Sequence, residues 1–109
     1  MTPLEIRSYN LRPGTRAEFE RLFVERALPM LQRCDMDVVA CGASAHDEDS
    51  WFLMRCFPSL AERDRQEDAF YGSDEWKLGP REAILALIEN YTTILIEVDA
   101  SVIDGLRKH

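Results

Sequence analysis

From Leu4 to Leu11 the side chains alternate. Ile6, Ser8 and Asn10 fall on one side and Glu5, Arg7, Tyr9 and Leu11 on the other, which is the period of a strand. Arg12-Pro13-Gly14 is a turn signal. Thr15-Arg16-Ala17-Glu18 has the spacing of a capping box, in which Thr15 and Glu18 each satisfy a free backbone N–H. Beyond it Phe19, Leu22, Phe23, Ala27, Met30, Leu31 and Cys34 recur every three or four residues, so an amphipathic helix is expected. Pro29 lies inside that stripe and lacks the N–H that would reach the Glu25 carbonyl. A kink or break is expected there, or a helix ending at Leu28 with one further turn.

Asp37 to Ser44 reads as a second strand and Ser50 to Phe57 as a third, joined by the polar connection His46-Asp47-Glu48-Asp49. With the tip at Glu48-Asp49, Cys41 and Cys56 face each other; a one-residue slip destroys that pairing. Pro58 ends the strand. Ser59-Leu60-Ala61-Glu62 repeats the capping-box spacing and opens a very polar helix to about Phe70, expected to bury only a narrow edge. Gly72 breaks it, and Ser73-Asp74-Glu75-Trp76 starts a new turn with acids favourable to the helix dipole. Pro80 opens a segment carrying Ile84, Leu85, Leu87 and Ile88. Tyr91 to Val98 is β-branched and aromatic, a fourth strand. The tail to His109 holds Val102, Ile103 and Leu106 and is expected to dock as a short helix.

The order is β-α-β-β-α-β. It predicts a ferredoxin-like α+β fold over residues 1–109, a four-stranded antiparallel sheet with helices on one face. Parity then divides the strands. Leu4, Ile6, Phe52, Met54, Cys56, Ile94, Ile96 and Val98 form a nearly all-apolar set, assigned to the helix side. Arg7, Tyr9, Leu11, Trp51, Leu53, Arg55, Phe57, Tyr91, Thr93, Leu95 and Glu97 are assigned to the open face. That second set is too apolar to face water and too polar for a dry core. Either its charges form salt bridges at an interface and its aromatics simply pack, or it lines a cavity between two subunits.

Composition narrows the choice. The 109 residues suit one domain, and 46% hydrophobic with 30% charged residues excludes a disordered chain. The net charge is −7, with no basic cluster, so neither nucleic acid nor an anionic membrane is an expected partner. Met1-Thr2-Pro3-Leu4-Glu5 does not resemble a signal peptide, so a cytoplasmic, reducing compartment is expected for Cys34, Cys41 and Cys56. His46 lies in an acidic turn and His109 ends the chain, so no metal or haem is expected.

Several segments, taken in order, resemble the NIPSNAP family. Glu5 to Gly14 is similar to its opening strand and turn, Ala27-Leu28-Pro29-Met30 to its Pro-containing helix, and Leu53 to Arg63 to its third strand and following cap. Asp74-Glu75-Trp76 also fits, while Met54 and Cys56 depart from the usual aromatic pattern. The resemblance implies a homodimeric α+β barrel and relatives that include cofactor-free monooxygenases, isomerases and cyclases. It supplies no catalytic motif to carry over.

The candidate site comprises Arg7, Tyr9, Trp51, Arg55, Tyr71 and Trp76, inside the barrel. Arg7 or Arg55 can hold a carboxylate or a developing oxyanion. Tyr9 can donate a proton, and the other aromatics can stack on a small aromatic or acidic ligand. Trp76 and Tyr71 can equally plug the end of the sheet as core. The first and third strands are neighbours in this fold, so the two arginines should be close. They need neutralising by Glu5, Glu97, a partner's carboxylate or an anionic ligand. No cofactor is implied: GxGxxG, P-loop and GxSxG patterns are missing. The functional readings are a cofactor-free monooxygenase or isomerase, a non-enzymatic binding protein, or a structural dimer with a filled barrel.

Overall fold

Alternation along β1 (Thr2–Leu11) buries Glu5, Arg7, Tyr9 and Leu11 on one side of a sheet in the computed structural model, which describes residues 1–107. A turn at Gly14, with φ +80, leads to α1 (Arg16–Leu22). The capping box expected at Thr15 does not form: the Thr15 hydroxyl donates to the Arg12 carbonyl instead, closing the turn. α1 runs on through a π-turn at Phe23–Ala27 into α2 (Leu28–Arg33). There the Leu28 N–H reaches back five residues to the Phe23 carbonyl. The ladder thus widens immediately before Pro29, where a donor is missing, and the helix continues without breaking.

β2 (Asp37–Ala43) and β3 (Ser50–Cys56) form the hairpin. Ala43 faces Trp51, so the turn centres on Asp47 rather than on Glu48-Asp49. Cys41 therefore faces Leu53, Cys56 faces Asp37, and the expected cysteine pairing does not occur. α3 (Leu60–Tyr71) starts at Ser59, whose hydroxyl accepts from the Glu62 N–H. α4 (Asp74–Lys77) is capped in the same way by Ser73, and α5 (Arg81–Leu85) follows Pro80. β4 (Ile88–Val98) completes an antiparallel sheet of order β2-β3-β1-β4, the ferredoxin-like arrangement. α6 (Ala100–Arg107) ends the described chain; His109 lies outside the described residues.

The parity assignment is reversed by the structure. α1, α2 and α3 cover the set holding Glu5, Arg7, Tyr9, Trp51, Leu53 and Arg55, and the main core joins Tyr9, Trp51 and Leu53 to Phe19, Phe23 and Leu31. The purely apolar set faces the other way. α6 covers part of it, burying Leu4, Val39, Ala40, Cys56 and Ile103 together. The remainder is open, with Ile94 58% and Ile96 39% exposed beside Ile6 and Met54. The helix side tolerates charge because α3 is not merely polar. It presents Arg63, Glu67 and Tyr71, at four-residue spacing, to the charges of the sheet.

No helix of the described residues is long and apolar enough to cross a membrane.

Candidate functional site

Strand register makes Glu5 and Arg55 direct neighbours on β1 and β3. Neither side chain is exposed at all. The Arg55 Nε donates to Glu5 Oε1 at 2.9 Å, and its Nη2 reaches the same oxygen at 2.5 Å. Arg63 Nη2 lies 2.8 Å from the other oxygen, Oε2. Glu67 Oε2 accepts from Arg55 Nη2 at 3.3 Å and from Arg63 Nε at 3.2 Å. Its second oxygen lies 3.7 Å from Arg7 Nη2. Three guanidiniums thus share two carboxyl groups, which is how buried charges become tolerable.

The two carboxyls are not equivalent. Burial alone would raise Glu5, but the hydrogen bond from Glu67 and the Arg55 guanidinium outweigh it and hold Glu5 well below the usual carboxylate range. Burial also raises Glu67, its bond with Glu5 raises it further, and Arg55 only partly opposes this; the result is about 7. Glu67 therefore holds a proton that it donates to Glu5 across much of the acid range.

Tyr71 closes this cluster towards the core. Its hydroxyl oxygen accepts from Arg55 Nη1 at 3.0 Å and from Arg7 Nη1 at 3.2 Å. Those two bonds use its lone pairs. The Tyr71 proton itself has no acceptor among the described residues. Arg7 is held less tightly than Arg55. Its Nε donates to Thr93 Oγ1 at 3.0 Å, its guanidinium lies over the Tyr91 ring at 5.0 Å, and its nearest carboxylate oxygen is the one at 3.7 Å.

Beside Arg7 and Tyr71 lies a cavity of about 610 Å³, between the sheet and α1, α2, α4 and α5. Phe19, Phe23, Leu31, Leu53 and Ile84 make its apolar wall. Tyr9 and Trp76 add aromatic surface, and the exposed Lys77 and Arg81 lie along its rim. The lining holds three cations, Arg7, Lys77 and Arg81, and no carboxylate, although Asp and Glu outnumber Lys and Arg by 20 to 13 in the chain. Tyr9 is buried, which pushes its hydroxyl up to about 12 and keeps it a neutral donor.

Of the six expected site residues, Arg7, Tyr9, Tyr71 and Trp76 line this cavity. Trp51 does not. It is 2% exposed and packs edge-on against Phe19 at 5.8 Å, and its indole N–H is without a partner among the described residues. Arg55 does not either, being enclosed by Glu5, Glu67, Tyr71 and Met36. The cavity also lies within one chain rather than between two subunits. Sequence reasoning missed Arg63 and Glu67. Their spacing with Tyr71 along an otherwise polar helix was the available signal.

The family model for NIPSNAP matches residues 4–101. The chain belongs to the NIPSNAP family. Among solved structures, a NIPSNAP family protein from Agrobacterium tumefaciens is similar with a TM-score of 0.83 at 16% identity, over 91% of this chain and 87% of that one. An uncharacterized NIPSNAP-like domain protein from Burkholderia xenovorans gives 0.83 at 17%, over 91% and 86%. A putative antibiotic biosynthesis monooxygenase from Caulobacter crescentus gives 0.68 at 14%, over 90% of each chain. A search of curated proteins finds no match. These identities establish the fold alone, and a fold hosts many chemistries. The chemistry open to this NIPSNAP chain has to be read from its own cavity and the ion cluster at the cavity's end.

Proposed function

We propose that this NIPSNAP protein binds a small, flat aromatic molecule in the cavity between its sheet and helices, with an oxygen of the molecule at Arg7 and Tyr71. One observation carries this reading: a volume of about 610 Å³, apolar along its walls, ends on a guanidinium and on a phenolic proton that has no acceptor among the described residues. That size is ordinary for ligand pockets, and a few convergent polar groups in an apolar wall are their usual character. An oxyanion or enolate forming at that end would meet Arg7 and the Tyr71 O–H without rearrangement. This supports a monooxygenase or isomerase chemistry needing no cofactor. The similarity in fold to a putative antibiotic biosynthesis monooxygenase points the same way, by analogy only. The reading includes a homodimer: the uncovered row Ile94, Ile6 and Met54 is an apolar sheet face of the kind a second copy covers.

The test is a fluorescence titration with a panel of hydroxylated and carboxylated naphthalenes, followed through Trp76, which lines the cavity. Saturable quenching is expected for the wild type and not for Ala27→Phe, which fills the cavity from the α1–α2 side. Binding unchanged in Ala27→Phe would overturn the assignment. Oxygen uptake or isomerisation of a bound compound then separates an enzyme from a binding protein.

A further inference from the structure

The carboxyl group of Glu67 stands where an acidic ligand would have its charge. Its Oε1 lies 3.7 Å from Arg7 Nη2, a long contact, while its Oε2 is held at 3.2–3.3 Å by Arg63 and Arg55. Arg7 is the only guanidinium of the cluster that also lines the cavity. The other charged groups facing Glu67 each have a further charged partner: Glu5 on β1 has Arg55 and Arg63, Arg55 on β3 has Glu5, and Arg63 on α3 has Glu5 and Asp64. Tyr71, also on α3, takes donors from both Arg7 and Arg55. The loose contact between Arg7 and Glu67 is therefore the one an incoming anion can replace without breaking the buried Glu5–Arg55 pair.

We propose that the ligand is an organic acid bound as its anion on Arg7 and the Tyr71 O–H, and that Glu67 acts as an internal counter-anion that takes up one proton as the ligand binds. The inference rests on the cavity being a ligand site. The balance is simple. The ligand carboxylate replaces the Glu67 carboxylate as the charge facing Arg7. Glu67 takes a proton from solvent, becomes a neutral carboxylic acid and donates that proton to the Glu5 carboxylate. The cluster gains one negative charge from the ligand and loses one at Glu67, so the burial of a third anion among the arginines is avoided.

Free Glu67 titrates near pH 7, so the proton must be fetched from solvent mainly above that value. Below it Glu67 is already neutral. Affinity for an acid that is itself ionised throughout should thus be level at low pH. It should fall by up to about tenfold per pH unit above pH 7.

The probes are 1-naphthoate and its neutral isostere 1-naphthamide, titrated calorimetrically into the wild-type protein in acetate and MES at pH 5.5 and in phosphate and Tris at pH 8. Naphthoate is expected to bind at least about tenfold tighter than naphthamide at pH 5.5, the scale of a charge-assisted bond. Its heat in the two buffers should report about one proton taken up at pH 8 and about none at pH 5.5. Glu67→Gln, whose amide keeps the donor to Glu5, should bind naphthoate with no proton uptake at either pH. Arg7→Met should lose the preference for the acid.

Equal affinity for the two probes overturns this inference and leaves the cavity reading standing, as does naphthoate binding without proton uptake in the wild type at pH 8. Proton uptake persisting in Glu67→Gln removes Glu67 from the role. Failure of both probes to bind the wild type overturns the cavity reading and this inference together.

Discussion

Replacing Glu67 with glutamine removes the proton that it shares with Glu5 and keeps the shape of the side chain. The size of the effect follows from linkage. Burial and the bond with Glu5 raise Glu67 from 4.5 to about 7 in the folded chain. A carboxyl shifted upward stabilises the fold fully below its unfolded value and loses that contribution as pH rises through the folded one. Between pH 4.5 and 7 the folded chain thus binds a proton that the unfolded chain has released. At about 1.4 kcal/mol per pH unit the ceiling is about 3 kcal/mol. The Glu67 side chain keeps 12% of its surface exposed, and solvent screening brings the expected loss to about 1–2 kcal/mol.

Glu5 acts with the opposite sign. It is held down, so its contribution is present above 4.5 and is lost as pH falls below that. The fold should therefore be most stable near pH 4.5–5. Urea unfolding at pH 5, 6, 7 and 8 measures this directly. The wild type should lose about 1–2 kcal/mol across that series, and Glu67→Gln should stay level within about 0.5 kcal/mol. The variant then becomes the more stable protein at pH 8. A wild-type curve that is flat from pH 5 to pH 8, or a variant that declines in parallel with it, would refute the shared-proton reasoning.

Arg55→Met should cost about 3–5 kcal/mol in urea unfolding, because it leaves the fully buried Glu5 carboxylate without its principal partner; a loss below about 1 kcal/mol would contradict the burial described here. Ile94→Asp should leave thermal stability of the monomer fold within about 0.5 kcal/mol, since that side chain is mostly exposed, yet shift the sedimentation coefficient from dimer to monomer. An unchanged dimer would show that this sheet face is not the interface. Thiol titration at pH 8 should find Cys34, which is exposed, reacting fast, while Cys56 reacts only on unfolding. Burial and the hydrogen bond to Asp37 push the Cys56 thiol to about 11, and the fully denatured chain should yield all three thiols.

Element order was legible from the chain because each strand and helix carried a local sign: alternation in β1, serine caps before α3 and α4, β-branched residues in β4. The proximity of Arg7 and Arg55 was legible too, since it needs only strand order. The side of the sheet was not. Parity separates two faces but does not say which one the helices cover, and the rule that the more apolar face is the covered one fails here. The ion cluster of β1 and β3 finds its partners on α3, whose Arg63 and Glu67 look like solvated positions when that helix is read alone. Trp51 was misplaced for a related reason. Aromatic packing on Phe19 and Phe23 and exposure to a cavity give the same sequence pattern. The enclosure of Arg55 depends on which oxygen of Glu5 it reaches, a matter of ångströms that residue spacing does not encode.

The π-turn at Phe23–Ala27 has a geometric consequence for the shape of what fits beside it. Each residue of an α-helix rotates by about 100°, so side chains four apart drift by about 40° per step. Phe19, Phe23, Ala27 and Leu31 are spaced by four and all line the cavity. With uniform α-winding the drift from the first to the last would reach about 120°, and Leu31 would swing out of line. The wide turn winds through a smaller angle per residue and cancels part of that drift, holding the four side chains in a single file. Deleting one residue from the turn would restore the ordinary pitch and rotate α2 about its own axis. The far wall would change contour while Arg7 and Tyr71, on other elements, kept their places. Helix length at this one turn thus sets the outline of the cavity and leaves its polar end untouched.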